Sequence, residues 1–288
     1  MEGLDGGVER ETAVARLDAG VVEYRLERRG ETSVLVFHGG HMRAGLPLGE
    51  EVFAELGCTV LVPSRPGYGR TPVGTGRSPA GFADASRELC RHLGIEGVDA
   101  VVGVSAGGRT AMAMAARHPE LVRRLILQSS VGFLPWPDPR TRLMASVAFN
   151  PVTERATWAA VAAMMRHVPA LGLRTLVGDL SSEPVNVAFA SLGTEHRDLL
   201  RWLFSRMRSG RGFLNDLRQV GADGLEISQP TLVVASRKDG SVPFAHAESL
   251  VGRIPNAVLV ASEAASHFIW LGSDYPAIAE RISRFVAS

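Results

Sequence analysis

Ser105 is the first residue that invites a chemical reading. It lies in Ala100-Val-Val-Gly103-Val-Ser105-Ala106-Gly107-Gly108, a Gly-x-Ser-x-Gly pattern with an apolar run before it and an Ala- and Met-rich stretch after it. A sharp turn from strand to helix forces its central residue into a strained backbone, and neighbours without side chains let the chain pass closely. A serine there shows its hydroxyl at the end of a strand and at the start of a helix, where negative charge is favoured. A hydroxyl is a poor nucleophile until a base takes its proton. Of the eight histidines, His267 stands in Ser266-His267-Phe268, after the last apolar run and before the C-terminal helical stretch, where a loop can return a base to the serine. An imidazole in that role needs a carboxylate to fix its tautomer. Asp239 follows the run Thr231–Ala235, and Asp138 is the runner-up.

The oxyanion formed when a serine attacks a carbonyl needs N–H donors. Ala106, directly after the nucleophile, offers one. The second is expected from His38-Gly39-Gly40-His41, at Gly40, with Gly39 and His41 as alternatives. His38 reads as a brace for that loop rather than a catalytic group.

These residues must be placed by the elements around them. Short Val-, Leu- and Ile-rich runs at Val34–Phe37, Thr59–Val62, Ala100–Val104, Leu125–Leu127, Thr231–Ala235 and Val258–Ala261 suit strands buried on both faces. Helical stretches alternate with them at Leu48–Leu56, Pro79–Leu93, Gly107–His118, Pro243–Ile254 and Asp274–Val286, so the fold class is α/β. Ala13–Leu17 and Val21–Glu27 around Asp18-Ala19-Gly20 predict an opening hairpin. The alternation stops near Gly132 and resumes near Ser228. Trp158–His167 and Leu192–Met207 carry helical spacing, and the second meets a breaker at Ser209-Gly210-Arg211-Gly212. The expected organisation is a core of residues 1–132 and 226–288 with a helical insertion over 133–225.

Composition narrows the function. The chain has 288 residues, 45% hydrophobic and 21% charged, with 31 basic against 30 acidic side chains. That balance argues against a nucleic-acid or anionic-membrane footprint. Cys58 and Cys90 make no disulfide framework, and no Cys/His spacing suggests a metal site. No run reaches the ~18 apolar residues of a membrane span, and the acidic start does not resemble a signal peptide. A cytoplasmic protein is expected. Lys238 is the one lysine beside 30 arginines, which points to a GC-rich bacterial genome.

The motifs His38-Gly39-Gly40, Arg65-Pro66-Gly67-Tyr68-Gly69-Arg70, Gly103-Val-Ser105-Ala-Gly107-Gly108, Asp239 and Ser266-His267-Phe268 together resemble the α/β-hydrolase superfamily, in its cap-bearing serine hydrolase branch. The chain order Ser105, Asp239, His267 is that superfamily's order. The resemblance implies a mostly parallel eight-stranded sheet flanked by helices, with a helical cap over 133–225 and no metal or organic cofactor. Relatives often carry Asp where Ser64 precedes Arg65-Pro66-Gly67. Haloalkane dehalogenases and epoxide hydrolases use Asp at the nucleophile position, haloperoxidases without cofactor place a bulky aromatic where Gly40 stands, and carbon–carbon hydrolases often have Trp where Phe268 stands.

The expected activity is cleavage of a carboxylic ester of a small, largely apolar substrate by Ser105, His267 and Asp239. The same triad would serve a carbon–carbon hydrolase, a lactonase, a peptide-bond hydrolase or an acyltransferase, and a non-catalytic ligand-binding role is a further alternative. Gly39, His41, Trp136, Trp158, Met165, Trp202 and Phe268 are expected to wall the pocket. The insertion holds 11 Arg and 8 acidic residues. Solvated surface is the ordinary reading of those arginines, but one of them could hold a substrate carboxylate.

Overall fold

A computed structural model describes residues 8–219 and 224–288. The apolar runs become strands within a residue or two of the expected ends: β3 Ser33–Phe37, β4 Thr59–Pro63, β5 Ala100–Val104, β6 Leu125–Gln128, β7 Thr231–Ser236 and β8 Ala257–Ser262. β1 Ala13–Leu17 and β2 Gly20–Glu27 form the opening hairpin. One eight-stranded sheet has the order β1-β2-β4-β3-β5-β6-β7-β8. β1 and β2 run antiparallel, and β3 to β8 are mutually parallel.

Helices cover both faces because the strands are apolar on both. α1 Glu51–Glu55 and α11 Tyr275–Ala287 pack with Val34, Val36, Val102 and Val104. α2 Pro79–His92, α3 Gly108–Arg117 and α10 Ala245–Arg253 pack with Leu35, Phe37, Val101 and Leu127 on the other face. The two side-chain sets alternate along each strand, as the pleat requires. α2 starts at Ser78, whose hydroxyl accepts from Gly81 N–H at 3.0 Å, with Pro79 in the first turn. α1 begins three residues later than expected. Gly49 has φ +74°, and a Cβ there would lie 1.9 Å from Trp270 Nε1, so the chain bends under the indole before it coils.

Between β6 and β7 come α4 Pro139–Ala148, α5 Glu154–His167, α6 Pro169–Asp179, α7 Val185–Ala190, α8 Thr194–Arg206 and α9 Gly212–Leu217. α5, α6 and α8 pack on one another, and their buried side chains join the α1/α11 face of the core. Residues 1–7 and 220–223, which fall in the expected core and insertion, lie outside the described residues.

In a parallel sheet, ligands bind beyond the C-terminal ends of the strands, where the strand order reverses. From β3 the chain moves to β4 on one side and then crosses back to β5 on the other. The loop after β3 carries Gly39 and Gly40, and β5 ends at Ser105. The candidate residues therefore meet at the reversal.

Candidate active site

Ser105 opens a single 3-10 turn, Ser105–Gly107, that leads into α3. Its φ is +51°, a left-handed conformation that costs a side-chain-bearing residue roughly 1–2 kcal/mol. The flanking glycines are steric requirements. A Cβ on Gly107 would lie 2.1 Å from the Phe37 carbonyl oxygen, and one on Gly103 would lie 2.7 Å from Ala111 Cβ. β3, β5 and α3 can approach this closely only without those side chains.

Asp239 follows β7 in a turn that fixes both its oxygens. Oδ1 accepts from the N–H groups of Ser241 and Val242, each at 2.8 Å, and Oδ2 meets His267 Nδ1 at 2.6 Å. A carboxylate only accepts, so Nδ1 carries the proton of this bond, and in the neutral ring Nε2 keeps its lone pair. The His267 backbone is tied at both ends: its N–H donates to Leu180 O at 2.8 Å and its C=O accepts from Ser129 Oγ at 2.8 Å. Leu180 O also accepts from Gly240 N–H at 3.1 Å, so the end of α6 holds the aspartate and histidine loops together. Asp138 is elsewhere. It caps α4, accepting from Arg140 and Thr141 N–H at 3.0 and 3.1 Å.

The His38-to-His41 loop is braced from below. His38 Nε2 accepts from Arg65 N–H at 3.0 Å, and Nδ1 donates to Gly39 O at 2.8 Å. Burial, reinforced by the Arg65 charge, holds the His38 pKa well below its ordinary value. Arg65 in turn donates to His38 O and grips Asp216 of α9 with both terminal nitrogens, at 2.6 and 2.9 Å. The Tyr68 hydroxyl donates to the same carboxylate at 2.6 Å. A Cβ on Gly39 would lie 3.2 Å from Ser105 Cβ, so this loop passes directly beside the serine. Ser64, where relatives often have Asp, does brace its loop. It donates to Glu23 Oε2 at 2.7 Å and accepts from Ala44 N–H at 2.9 Å, so β2 supplies the carboxylate.

A cavity of about 210 Å³ opens beside this group, lined by Ser105, His267, Gly39, Gly40, His41, Trp136, Trp158 and Phe268 among others. Ser105 and His267 share this wall, but no hydrogen bond joins their side chains among the described residues. Such contacts are often long before substrate binds. Two expected wall residues stand apart from it. Met165 is buried inside the helical layer, and Trp202 is half-buried under the Arg206 guanidinium. Residues that the sequence did not single out, including Glu50, Asp179, Phe213 and Trp270, line it instead. Glu50 followed no recognisable motif, and Phe213 sits in the breaker region after α8. A second cavity of about 20 Å³ beside Arg65, Arg77 and Arg109 touches Ala106 but neither Ser105 nor His267.

The fold and these motifs agree with what the chain resembles. The alpha/beta hydrolase fold family matches residues 32–273. The chain is 33% identical over 273 residues to an uncharacterized hydrolase, YcgS, of Bacillus subtilis (strain 168), covering 93% of this chain and 95% of that protein. It is 26% identical to a 2-hydroxy-6-oxononadienedioate/2-hydroxy-6-oxononatrienedioate hydrolase of Pseudomonas sp, over 80% of this chain and 79% of that one. An alpha/beta hydrolase fold protein from Nakamurella multipartita superposes with a TM-score of 0.79 at 24% identity, over 96% of this chain and 99% of the other. The chain belongs to the alpha/beta hydrolase fold family and is a hydrolase of that fold. Among the described residues no helix is long and apolar enough to cross a membrane.

Proposed function

We propose that this hydrolase is a serine esterase acting in the cytoplasm on a small, largely apolar carboxylic ester, with residues 133–225 as a cap over the cavity. The observation that carries the reading is the His267–Asp239 pair. It leaves Nε2 as a base on the cavity that Ser105 also lines. In the proposed cycle Ser105 Oγ attacks the ester carbonyl and its proton passes to His267 Nε2. The N–H groups of Gly40 and Ala106 hold the oxyanion. His267 then gives the proton to the departing alkoxide, and the acyl group stays on Ser105. Water, deprotonated by the same imidazole, cleaves the acyl-enzyme and restores the serine. Asp239 orients the imidazole throughout and steadies its charged form.

The test is turnover of a short p-nitrophenyl ester. Ser105→Ala is expected to abolish it while leaving the circular dichroism spectrum and melting temperature intact; unchanged turnover removes the assignment. The Pseudomonas relative supports a second reading, carbon–carbon bond hydrolysis by the same triad. An assay on a matched ester and diketone separates the two.

A further inference from the structure

The cavity beside Ser105 is lopsided in charge. Its lining includes two acids, Glu50 and Asp179, and neither Arg nor Lys among the described residues. Among the described residues, none of the insertion's arginines lines it. Two buried guanidinium groups bonded to lining residues are already engaged. Arg25 bonds Glu50, Glu27 and Ala44 O, and Arg65 bonds Asp216 and His38 O.

The histidines of the wall add no positive charge. His38 Nε2 is an acceptor for Arg65 N–H. The His41 ring lies among Phe149, Trp158 and Phe213 with centroids 4.7, 5.1 and 4.0 Å away. Burial first, and Arg65 second, bring its pKa down to about 3. One ring nitrogen is held in a hydrogen-bond chain. Trp158 Nε1 can only donate, and does so to Ser209 Oγ at 2.8 Å. The same Ser209 hydroxyl is hydrogen-bonded to His41 Nδ1 at 2.7 Å. His41 is therefore an uncharged ring on the cavity wall.

We infer that this cavity selects uncharged substrates and turns away those whose acyl chain ends in a carboxylate. An entering carboxylate would lose its water to aromatic and aliphatic walls, meet the Asp179 carboxyl and find no unpaired cation among the lining residues. This names the substrate class of the site read above as an esterase and rests on that reading for its kinetic arm. It also separates this chain from the Pseudomonas relative, whose name denotes a dicarboxylate substrate.

The experiment compares p-nitrophenyl pentanoate with mono-p-nitrophenyl glutarate, which differ in one terminal methyl against one carboxylate. For the wild-type protein kcat/KM should favour the pentanoate by about 100-fold or more. Asp179 is exposed at the cavity rim, so Asp179→Lys should fold and narrow that ratio by about tenfold, with Asp179→Asn moving it the same way by less. Glutarate turnover within about threefold of pentanoate in the wild type overturns the inference. If the wild type cleaves neither ester, the esterase reading fails and binding decides the selectivity alone. Calorimetry of Ser105→Ala with phenyl pentanoate and monophenyl glutarate should show the neutral ester binding at least about tenfold tighter. Equal affinity, or no binding of either, overturns it.

Discussion

Asp239→Asn probes the proposed base through one proton. Asp239 Oδ1 accepts two backbone N–H groups at 2.8 Å, so the carboxamide oxygen must stay there. The reversed orientation would set an NH2 against two buried donors, at about 1–3 kcal/mol for each unmade bond. The NH2 therefore takes the place of Oδ2, 2.6 Å from His267 Nδ1. An NH2 only donates, so Nδ1 must accept and the ring proton moves to Nε2. A protonated Nε2 cannot take the proton of Ser105. The wrong tautomer is expected to lower kcat by ~10⁴, about 5.5 kcal/mol of barrier, with KM little changed. Steady-state hydrolysis of p-nitrophenyl butyrate reads this directly. The substitution is isosteric and buried, so the melting temperature should move by no more than ~4 °C. A kcat loss below about tenfold in a folded Asp239→Asn protein refutes the tautomer argument.

Two further substitutions test the surroundings of the cavity. Burial, partly offset by Arg25, pushes the Glu50 carboxyl up from 4.5 to about 7, so between those values the folded protein holds a proton that the unfolded chain releases. Stability is thus lost as pH rises through this window, by up to about 3 kcal/mol. Glu50→Gln should show a smaller fall than the wild type between pH 5 and pH 8 in urea titrations; parallel falls contradict the shift. Asp216→Ala leaves Arg65 buried without its carboxylate and the Tyr68 hydroxyl without its acceptor. It should cost ~3–5 kcal/mol in urea unfolding, and a loss under about 1 kcal/mol would show that the pair is not buried as described.

Much of this architecture was legible in the sequence, for identifiable reasons. Strands such as Ala100–Val104 are buried along their whole length, so their apolar runs mark them within a residue or two. The opening hairpin showed through Asp18-Ala19-Gly20, where Gly20 takes φ +124°. The insertion was harder. α4 buries only Ala145 and exposes Leu143, Met144 and Val147, so it has no apolar stripe to find. α6 interrupts its pattern with Gly172 and Gly178. At the candidate site, Ser105, Asp239 and His267 stand out in the sequence because their motifs sit beyond the ends of recognisable strands. The Arg65–Asp216 pair could not, since 151 residues separate its partners and neither motif points to the other. Trp202 and Met165 read as wall residues in the sequence because aromatic and Met side chains suit apolar pockets. The same property suits helix-to-helix packing, which is where both ended.

Reaction with a fluorophosphonate followed by peptide mapping tests the reactive serine most directly. A single adduct is expected, on the peptide that carries Ser105, and none on that peptide after His267→Ala. A wild-type protein that takes up no label, or one that labels equally well without the imidazole, would contradict it.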